Sequence, residues 1–509
     1  MELWSNMSLG FAVAVSWSSL WACFIGVTLG TFIGVLPGVG ALAGISLLMP
    51  LTFGQSATDA IVMLAGIYYG SIYGGSTAAI LLNLPGSVTS AVTCFDGYPM
   101  AQKGEAGKAL AMTTLASFIG GCFSIVLMMA FAAPLVAVAQ SFGSPEYFAM
   151  TILGLLAAST LSQGSPVKGI AMVVVGLLLG LVGTDIQSGV ARFTFGSREL
   201  LDGISLVVLA MGLFGVSEIL VNFTSMHFAT TRQKVDTSWA AMWPTKKEWK
   251  STSGSMTRGS VIGAVIGILP GAGAAIAAFV AYSVEKKMSK TPERFGNGAI
   301  EGLAASETAN NSAAQAAFIP TMSLGIPGSA TMALLLGALL IHGVQPGPLV
   351  ISTNPELFWG LIASFWIGNL LLLVLNLPLI GIWVRMLMIP YHILYPCILF
   401  FICLGAYSAR SNPVDIGLVI FFGLMGYGMK LLQLPAAPLL LGLVLGPMAE
   451  EHFRRSLLLS RGDATVFVTQ PISAGLLAVA VIIVASTIRS SLRKRRQIIA
   501  AQMAQSGQI

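Results

Sequence analysis

The chain has 509 residues, of which 55% are hydrophobic and only 9% charged, against about 25% charged in soluble globular domains. So few charges cannot cover a body of this size for water, which excludes a soluble enzyme and makes lipid the expected solvent. Lys and Arg outnumber Asp and Glu by 26 to 20, but five of the cations (Arg489, Arg493, Lys494, Arg495 and Arg496) form a terminal cluster, which reads as a cytoplasmic membrane-proximal tail and not as a nucleic-acid surface.

The first ten residues carry Glu2 and no Lys or Arg, so they lack the basic region of a cleaved signal peptide and the first apolar segment is expected to stay in the protein. With about 20 apolar residues needed per crossing, hydrophobic segments follow near 9–53, 57–94, 109–138, 147–163, 169–184, 201–222, 258–284, 301–341, 357–384, 386–408, 413–430, 432–448 and 466–488. The one long polar stretch, 223–257, bears Arg232, Lys234, Lys246, Lys247 and Lys250 and divides the chain almost in half. The expected organisation is a first membrane repeat over 1–222, a basic cytoplasmic linker over 223–257, a second membrane repeat over 258–450, and a final helix with the basic tail over 451–509.

The repeat is legible in the glycines. Gly26, Gly30, Gly34, Pro37, Gly38 and Gly40 recur as Gly259, Gly263, Gly267, Pro270, Gly271 and Gly273, each displaced by 233 positions. Farther on, Asn83-Leu-Pro-Gly-Ser87-Val-Thr89 is answered by Gly325-Ile-Pro-Gly-Ser329-Ala-Thr331 at a displacement of 242, which fits nine extra residues in the charged loop 285–298.

Charge inverts between the halves. No Lys or Arg lies in 1–20 or 50–60, whereas the second copy is flanked by the basic 223–258 stretch and by Lys286, Lys287, Lys290 and Arg294. The next loops reverse the bias, with Lys103 and Lys108 in 95–108 and none in 342–356. By the positive-inside rule the copies face opposite ways. Both flanks of the second Pro-Gly segment are basic, so each such segment is expected to be a re-entrant hairpin; the competing reading is a spanning helix merely kinked at its Pro and Gly. The fold class is therefore an all-α polytopic membrane protein of two inverted-topology repeats with Pro-Gly-broken or re-entrant helices and about 11–12 transmembrane segments.

Proline removes a backbone donor and glycine accepts unusual dihedrals, so Leu-Pro-Gly-x-Gly inside an apolar run frees N–H and C=O groups that must line a polar cavity. Paired breaks in inverted halves are the best sequence pointer to a transport site. Pro37, Gly38, Gly40, Ser87, Thr89, Pro270, Gly271, Gly273, Ser329 and Thr331 are the expected substrate-binding positions, with helix N-termini offering N–H groups to a carboxylate. The upstream Gly-xxx-Gly-xxx-Gly face is expected to serve close helix packing. Asn83, Glu307, Asn310 and Asn311 are the candidate cation ligands, Glu307 because an intramembrane carboxylate is costly. Glu307, Asn311 and Gln315 share a helix face that suits a cavity wall, or else hydrogen bonds that only hold the bundle together. Glu218 is a weaker case on a less polar segment.

Other chemistries fail on inspection. The five cysteines (Cys23, Cys94, Cys122, Cys397 and Cys403) form no Cys-x-x-Cys pair, and His227, His342, His392 and His452 are scattered, so no metal site is indicated. Gly38-Val-Gly40-Ala-Leu-Ala-Gly44 has one residue too many for a dinucleotide fingerprint, and Gly104-Glu-Ala-Gly107-Lys108 is too short for a P-loop. No cofactor is expected, and no catalytic set suggests an intramembrane enzyme.

The doubled Gly-x-Leu-Pro-Gly-x-Gly segment, the Tyr69-Gly-Ser-Ile-Tyr-Gly-Gly-Ser-Thr77 run and the Glu307-Thr-Ala-Asn-Asn311 run resemble the large membrane subunit of the bacterial tripartite tricarboxylate transporters, over almost the whole chain. The resemblance implies a permease of the bacterial inner membrane that imports a small carboxylate, citrate-like, by symport with a cation, Na⁺. It also implies two partners, a small four-helix membrane subunit and a periplasmic substrate-binding protein. A passive organic-anion channel is the alternative.

Overall fold

The computed structural model describes residues 2–36, 39–85, 88–139, 141–160, 166–185, 187–224, 238–269, 273–387, 391–485 and 489. In chain order its helices are α1 (Glu2–Ala14), α2 (Trp17–Val35), α3 (Gly40–Leu48), α4 (Ala57–Leu82), α5 (Ala91–Gln102), α6 (Ala106–Ala139), α7 (Ser144–Thr160) and α8 (Pro166–Gly180). After them come α9 (Leu206–Ala210), a π-turn over 211–216, α10 (Ser217–Thr224), α11 (Trp239–Met242), α12 (Lys246–Ile268), α13 (Gly273–Met288), α14 (Ile300–Ala316) and α15 (Phe318–Leu324). The remainder are α16 (Ala330–Ile341), α17 (Val350–Thr353), α18 (Pro355–Asn376), α19 (Ile380–Met386), α20 (Tyr391–Arg410), α21 (Pro413–Leu431), α22 (Ala436–Leu459) and α23 (Val466–Thr469), with an apolar helix over Pro471–Ala485. The strands among the described residues are β1 (Gly183–Thr184) and β2 (Ala191–Arg192), paired antiparallel.

Among the described residues four helices are long and apolar enough to cross a bilayer alone: α2, Ala106–Ala132 within α6, α18 and α21. Others are shorter; the 12 residues of α16 rise only about 18 Å, well under a hydrocarbon core of about 30 Å. Half-length helices are what broken crossings produce.

The chain groups into two compact units, residues 1–140 with 205–428, and residues 141–204 with 429–509. Each unit draws on both sequence halves, so the compact units cut across the repeat.

In the first unit the glycine face of α2 lies directly on α4. A Cβ on Gly30 would sit 2.5 Å from the Ile67 carbonyl oxygen, and Gly26 and Gly34 meet the Met63 and Ser71 carbonyls in the same way. The contact is reciprocal, since a Cβ on Gly70 would sit 2.7 Å from the Val27 oxygen. In the second half α12 lies on α14 with Gly259, Gly263 and Gly267 against Ala305, Ala309 and Ala313. Small residues let backbones touch where lipid supplies no hydrophobic drive for association.

These registers settle the path of the chain. Residue numbers rise together along α2 and α4, and along α12 and α14, so each pair is parallel and the helix between them must run back. The Pro-Gly segments are thus hairpins that enter and leave at one end. In the second hairpin Arg258 of α12 and Ser255 both bond Glu285 of α13, the ion pair at 2.7 Å, which clasps the two arms. The pairing displacement is 37 residues in the first half and 46 in the second, reproducing the nine-residue insertion.

The halves run in opposite senses. Helix α6 is parallel to α14, with Ser117 on Glu307, Gly120 on Thr308 and Ser124 on Ser312. Helix α18 is parallel to α4, with Gly360 near Thr58, Gly368 on Tyr69 and Asn369 on Tyr73. Since α6 and α18 are antiparallel, Thr114 meeting Asn376 and Gly121 meeting Asn369, α4 and its counterpart α14 are antiparallel too. The repeat is inverted in space as in charge.

The basic loops gather at one end of this unit. Lys108 bridges Glu105 at 3.1 Å and Glu248 at 3.0 Å, Lys103 donates to the Asn297 carbonyl, and Arg294 pairs with Glu301. Although 223–257 reads as linker, the chain is helical from Lys246 because Thr245 and Glu248 form a reciprocal capping box. At the opposite end Thr52 Oγ1 meets His342 Nε2 at 3.2 Å.

The second unit packs α7 and α8 on α22, where a Cβ on Gly442 would lie 2.8 Å from the Gly176 Cα. Its loop 181–204 is tied down by a closed set of charges: Arg192 to Glu450 at 2.9 Å, Arg454 to Asp185 at 2.9 Å, and Arg454 to Glu450. The Gln187 backbone N–H foremost, then Arg454 and Ser188, hold the Asp185 carboxyl well below the usual carboxylate range.

Candidate functional site

The two halves break their helices in the same way. Helices α2 and α12 end on Leu36 (φ −77°, ψ 114°) and Leu269 (φ −75°, ψ 123°), and α3 and α13 restart on Gly40 (φ 59°) and Gly273 (φ 64°). Left-handed dihedrals at both restart positions explain why glycine stands there. The second breaks match as well, with Asn83 (φ 55°) closing α4 and Gly325 (φ 64°) closing α15. Pro37, Gly38, Gly86, Ser87, Pro270 and Gly271 lie outside the described residues.

The breaks converge within the first unit. The 3-10 turn Val88–Ser90, which carries Thr89, packs on α13, and α16 packs on α3 and α4. Gly328 backs onto the Gly267 and Leu269 carbonyls, while a Cβ on Gly75 would meet Ser90 Oγ at 2.8 Å and the Gly34 oxygen at 3.9 Å. Ser329 caps α16, its hydroxyl accepting from the Met332 N–H at 3.2 Å with the Tyr68 phenol as neighbour. Thr89, Ser329 and Thr331 are half-buried. Helix N-termini from both halves thus lie in one layer.

Beside this layer lies a polar pocket around Glu307, which is 1% exposed. Its carboxylate accepts from Ser76 Oγ of α4 at 2.9 Å, from Thr93 Oγ1 of α5, and from Ser117 Oγ of α6 at 3.3 Å. Asn311 Nδ2 donates to Ser117 Oγ at 2.6 Å and to the Glu307 carbonyl at 3.1 Å. Asn310, one turn beyond Glu307, is also 1% exposed, and neither side-chain polar atom finds a partner; nor does Gln315 Oε1. Among the described residues no Lys or Arg bridges Glu307, and no group of three His, Cys, Asp or Glu is placed to hold a metal ion.

Of the expected cation ligands, Glu307, Asn310 and Asn311 stand together on α14. Asn83 stands apart: it is exposed, joins none of the hydrogen bonds around Glu307, and supplies the left-handed closure that Gly325 supplies in the other half. Asparagine is the residue that best tolerates that conformation after glycine. Glu218 lines an apolar cavity with Val39, Ala43, Gly215 and Tyr395.

Sequence reading missed Thr93, Ser117 and Asp96. Asp96 is fully buried, and its Oδ1 accepts three backbone N–H groups, from Gly296 at 2.9 Å and from Gly298 and Ala299 at 2.8 Å. It caps α14 from the other half. The available signal was Asp96 itself, a carboxylate at the edge of an apolar run with no basic neighbour in sequence.

The profile of the "Tripartite tricarboxylate transporter TctA family" matches residues 20–441. An Agrobacterium vitis protein described as an uncharacterized 52.8 kDa protein in the TAR-I ttuC' 3' region is 51% identical over 496 residues, covering 97% of this chain and 98% of its own. A second protein of that organism, described as uncharacterized in the TAR-II ttuC' 3' region, is 54% identical over 234 residues, covering 46% of this chain and 97% of its own. No solved structure matches the chain. With a family profile spanning most of its length and inverted, helix-broken halves beneath it, this chain belongs to the tripartite tricarboxylate transporter TctA family and is a multi-pass membrane protein of that transport system.

Proposed function

We propose that the protein is the permease of a secondary transporter that imports small organic carboxylates, citrate-like di- or tricarboxylates, by symport with Na⁺. The carboxylates bind where the breaks converge, at Thr89, Ser329 and Thr331 with the flanking Pro37–Gly40, Ser87 and Pro270–Gly273 segments. The coupling cation binds at Glu307, Asn310 and Asn311. The observation that carries this reading is the convergence of paired helix N-termini from antiparallel halves in a layer without a cationic side chain among its described residues. Backbone dipoles and a bound cation then balance the substrate charge. Such binding is modest, which suits delivery by a periplasmic substrate-binding protein, with a small four-helix subunit alongside. The membrane is the bacterial inner membrane, with the basic loops and the Arg-rich tail in the cytoplasm.

The test is uptake of labelled citrate, or another di- or tricarboxylate, into proteoliposomes holding the full complex, with and without an inward Na⁺ gradient. Accumulation above the external concentration that requires the gradient, and falls at least tenfold in Ser329→Ala with Thr331→Ala, is the expected result. Uptake that only equilibrates identifies a channel. Normal transport by the double variant removes the substrate assignment.

A further inference from the structure

The cluster around Glu307 is assembled from both halves, and one of its first-half members, Thr93, lies on α5, the helix that follows the turn carrying Thr89. We propose that Ser76 and Thr93 complete a Na⁺ site around Glu307, and that α5 transmits its occupancy to the turn carrying Thr89. This rests on the reading of Glu307 as the coupling site and extends it to residues outside α14.

Three observations carry the proposal. The first is chemical. Glu307 is surrounded by the hydroxyl oxygens of Ser76, Thr93 and Ser117, all buried with it. The Oδ1 of Asn310, on the same face one turn on, is buried and unpartnered. A carboxylate, hydroxyls and an amide oxygen make an all-oxygen donor set, the kind that hard cations take. A buried acceptor without a partner is costly unless something fills its lone pairs.

The second is mechanical. Thr93 and Asp96 share the short helix α5, and Thr93 stands four residues after Thr89, which is on the 3-10 turn leading into that helix. Asp96, midway along that helix, fastens it to the start of α14 through three N–H groups, and Thr93, in its first turn, fastens it to Glu307. In this structure the Thr93 hydroxyl donates its proton to the carboxylate. With Na⁺ bound, that hydroxyl must turn a lone pair to the ion and its proton elsewhere. The Thr93 tie therefore changes with occupancy, while the Asp96 anchor does not.

The third is asymmetry. The 242-residue displacement that relates the second breaks puts Ala65 opposite Glu307, Tyr68 opposite Asn310, Phe318 opposite Ser76 and Leu335 opposite Thr93. Those counterparts are closely packed, with Ala65 fully buried, Phe318 1% exposed and Leu335 2% exposed. The cluster has no repeat-related copy at those positions, so a single cation of this kind is expected.

The experiment uses the purified full-length chain in nanodiscs, melted in NaCl or choline chloride at constant ionic strength, alongside Na⁺-driven uptake by the full complex. Na⁺ is expected to raise the wild-type melting temperature saturably. Thr93→Val and Ser76→Ala should raise the half-maximal Na⁺ at least tenfold, Thr93→Ser should restore it to within threefold, and Glu307→Gln should abolish the shift. In uptake, Na⁺ should lower the substrate KM of the wild type but not of Thr93→Val. A stabilisation that follows pH and ignores Na⁺ overturns the proposal, as does a Thr93→Val protein with wild-type Na⁺ dependence in both assays. Na⁺ stabilisation with the expected variant pattern, in a complex that accumulates no carboxylate, supports the ion site while overturning the transport reading.

Discussion

Asp96→Ala tests the cross-half clasp and has a magnitude that can be worked from the structure. The carboxylate satisfies the N–H groups of Gly296, Gly298 and Ala299, and losing it strands them unequally. Gly296 is exposed and regains water, Gly298 is half-buried, and Ala299 is fully buried. At about 1–3 kcal/mol for each buried donor left unmade, Ala299 loses about 2 kcal/mol and Gly298 about 1 kcal/mol, for a total of about 3 kcal/mol. An unfolding entropy of about 2.1 cal/mol/K per residue over a chain of 509 residues is about 1 kcal/mol per kelvin, so the melting temperature falls by about 3 °C. Asp96→Asn keeps a carbonyl acceptor in place and forfeits only the charge, so it should fall by about 1 °C. Scanning fluorimetry in nanodiscs resolves the difference. If Asp96→Ala melts with the wild type, or Asp96→Asn falls as far as Asp96→Ala, the clasp does not hold α14 as argued.

Two further outcomes follow from packing and charge. Gly30→Ala drives a Cβ to within 2.5 Å of the Ile67 carbonyl oxygen, a backbone atom that cannot rotate away. Overpacking of this kind costs about 1–3 kcal/mol, whereas Gly417→Ala, which meets nothing within 4 Å, should be neutral or gain up to about 1 kcal/mol from helix propensity; equal melting temperatures would refute the contact. In the loop 181–204, a depressed Asp185 pKa means that its stabilisation is complete above the ordinary carboxylate value of about 4 and is lost only as pH falls through the lower folded value. Relative to an unstructured peptide cleaved by trypsin at the same pH, cleavage at Arg192 and Arg198 should therefore be equally slow at pH 8 and pH 6, and faster at both in Arg454→Ala. A marked pH dependence of that normalised rate in the wild type would refute the assignment.

Much of the architecture was legible because it depends on residue types that do one thing. Glycine at four-residue spacing permits backbone contact, and the matched displacements of 233 and 242 reappear as pairing registers of 37 and 46. The Leu-Pro-Gly-x-Gly signature announced a helix break, and Gly40 and Gly273 occupy the left-handed conformation it requires. Asn83 was chosen for its amide, and its alignment with Gly325 adds a backbone role that residue type alone did not reveal. The partners of Glu307 were not legible, since Ser76, Thr93 and Ser117 sit 231, 214 and 190 residues away, and a lone Ser or Thr in an apolar helix ordinarily bonds its own backbone, as Thr114 does with Leu110.

The sequence alone determined the solvent, the repeat, its inversion and the sites of helix breakage, because hydropathy, charge placement and the Gly/Pro pattern act locally and survive in a one-dimensional string. Tertiary structure decided which polar groups face one another. It joined Glu307 to three hydroxyls, put Asp96 under the first turn of α14, and grouped α7 and α8 with α22 across the sequence halves. Those choices depend on helix rotation and on register between segments hundreds of residues apart, which no local pattern encodes.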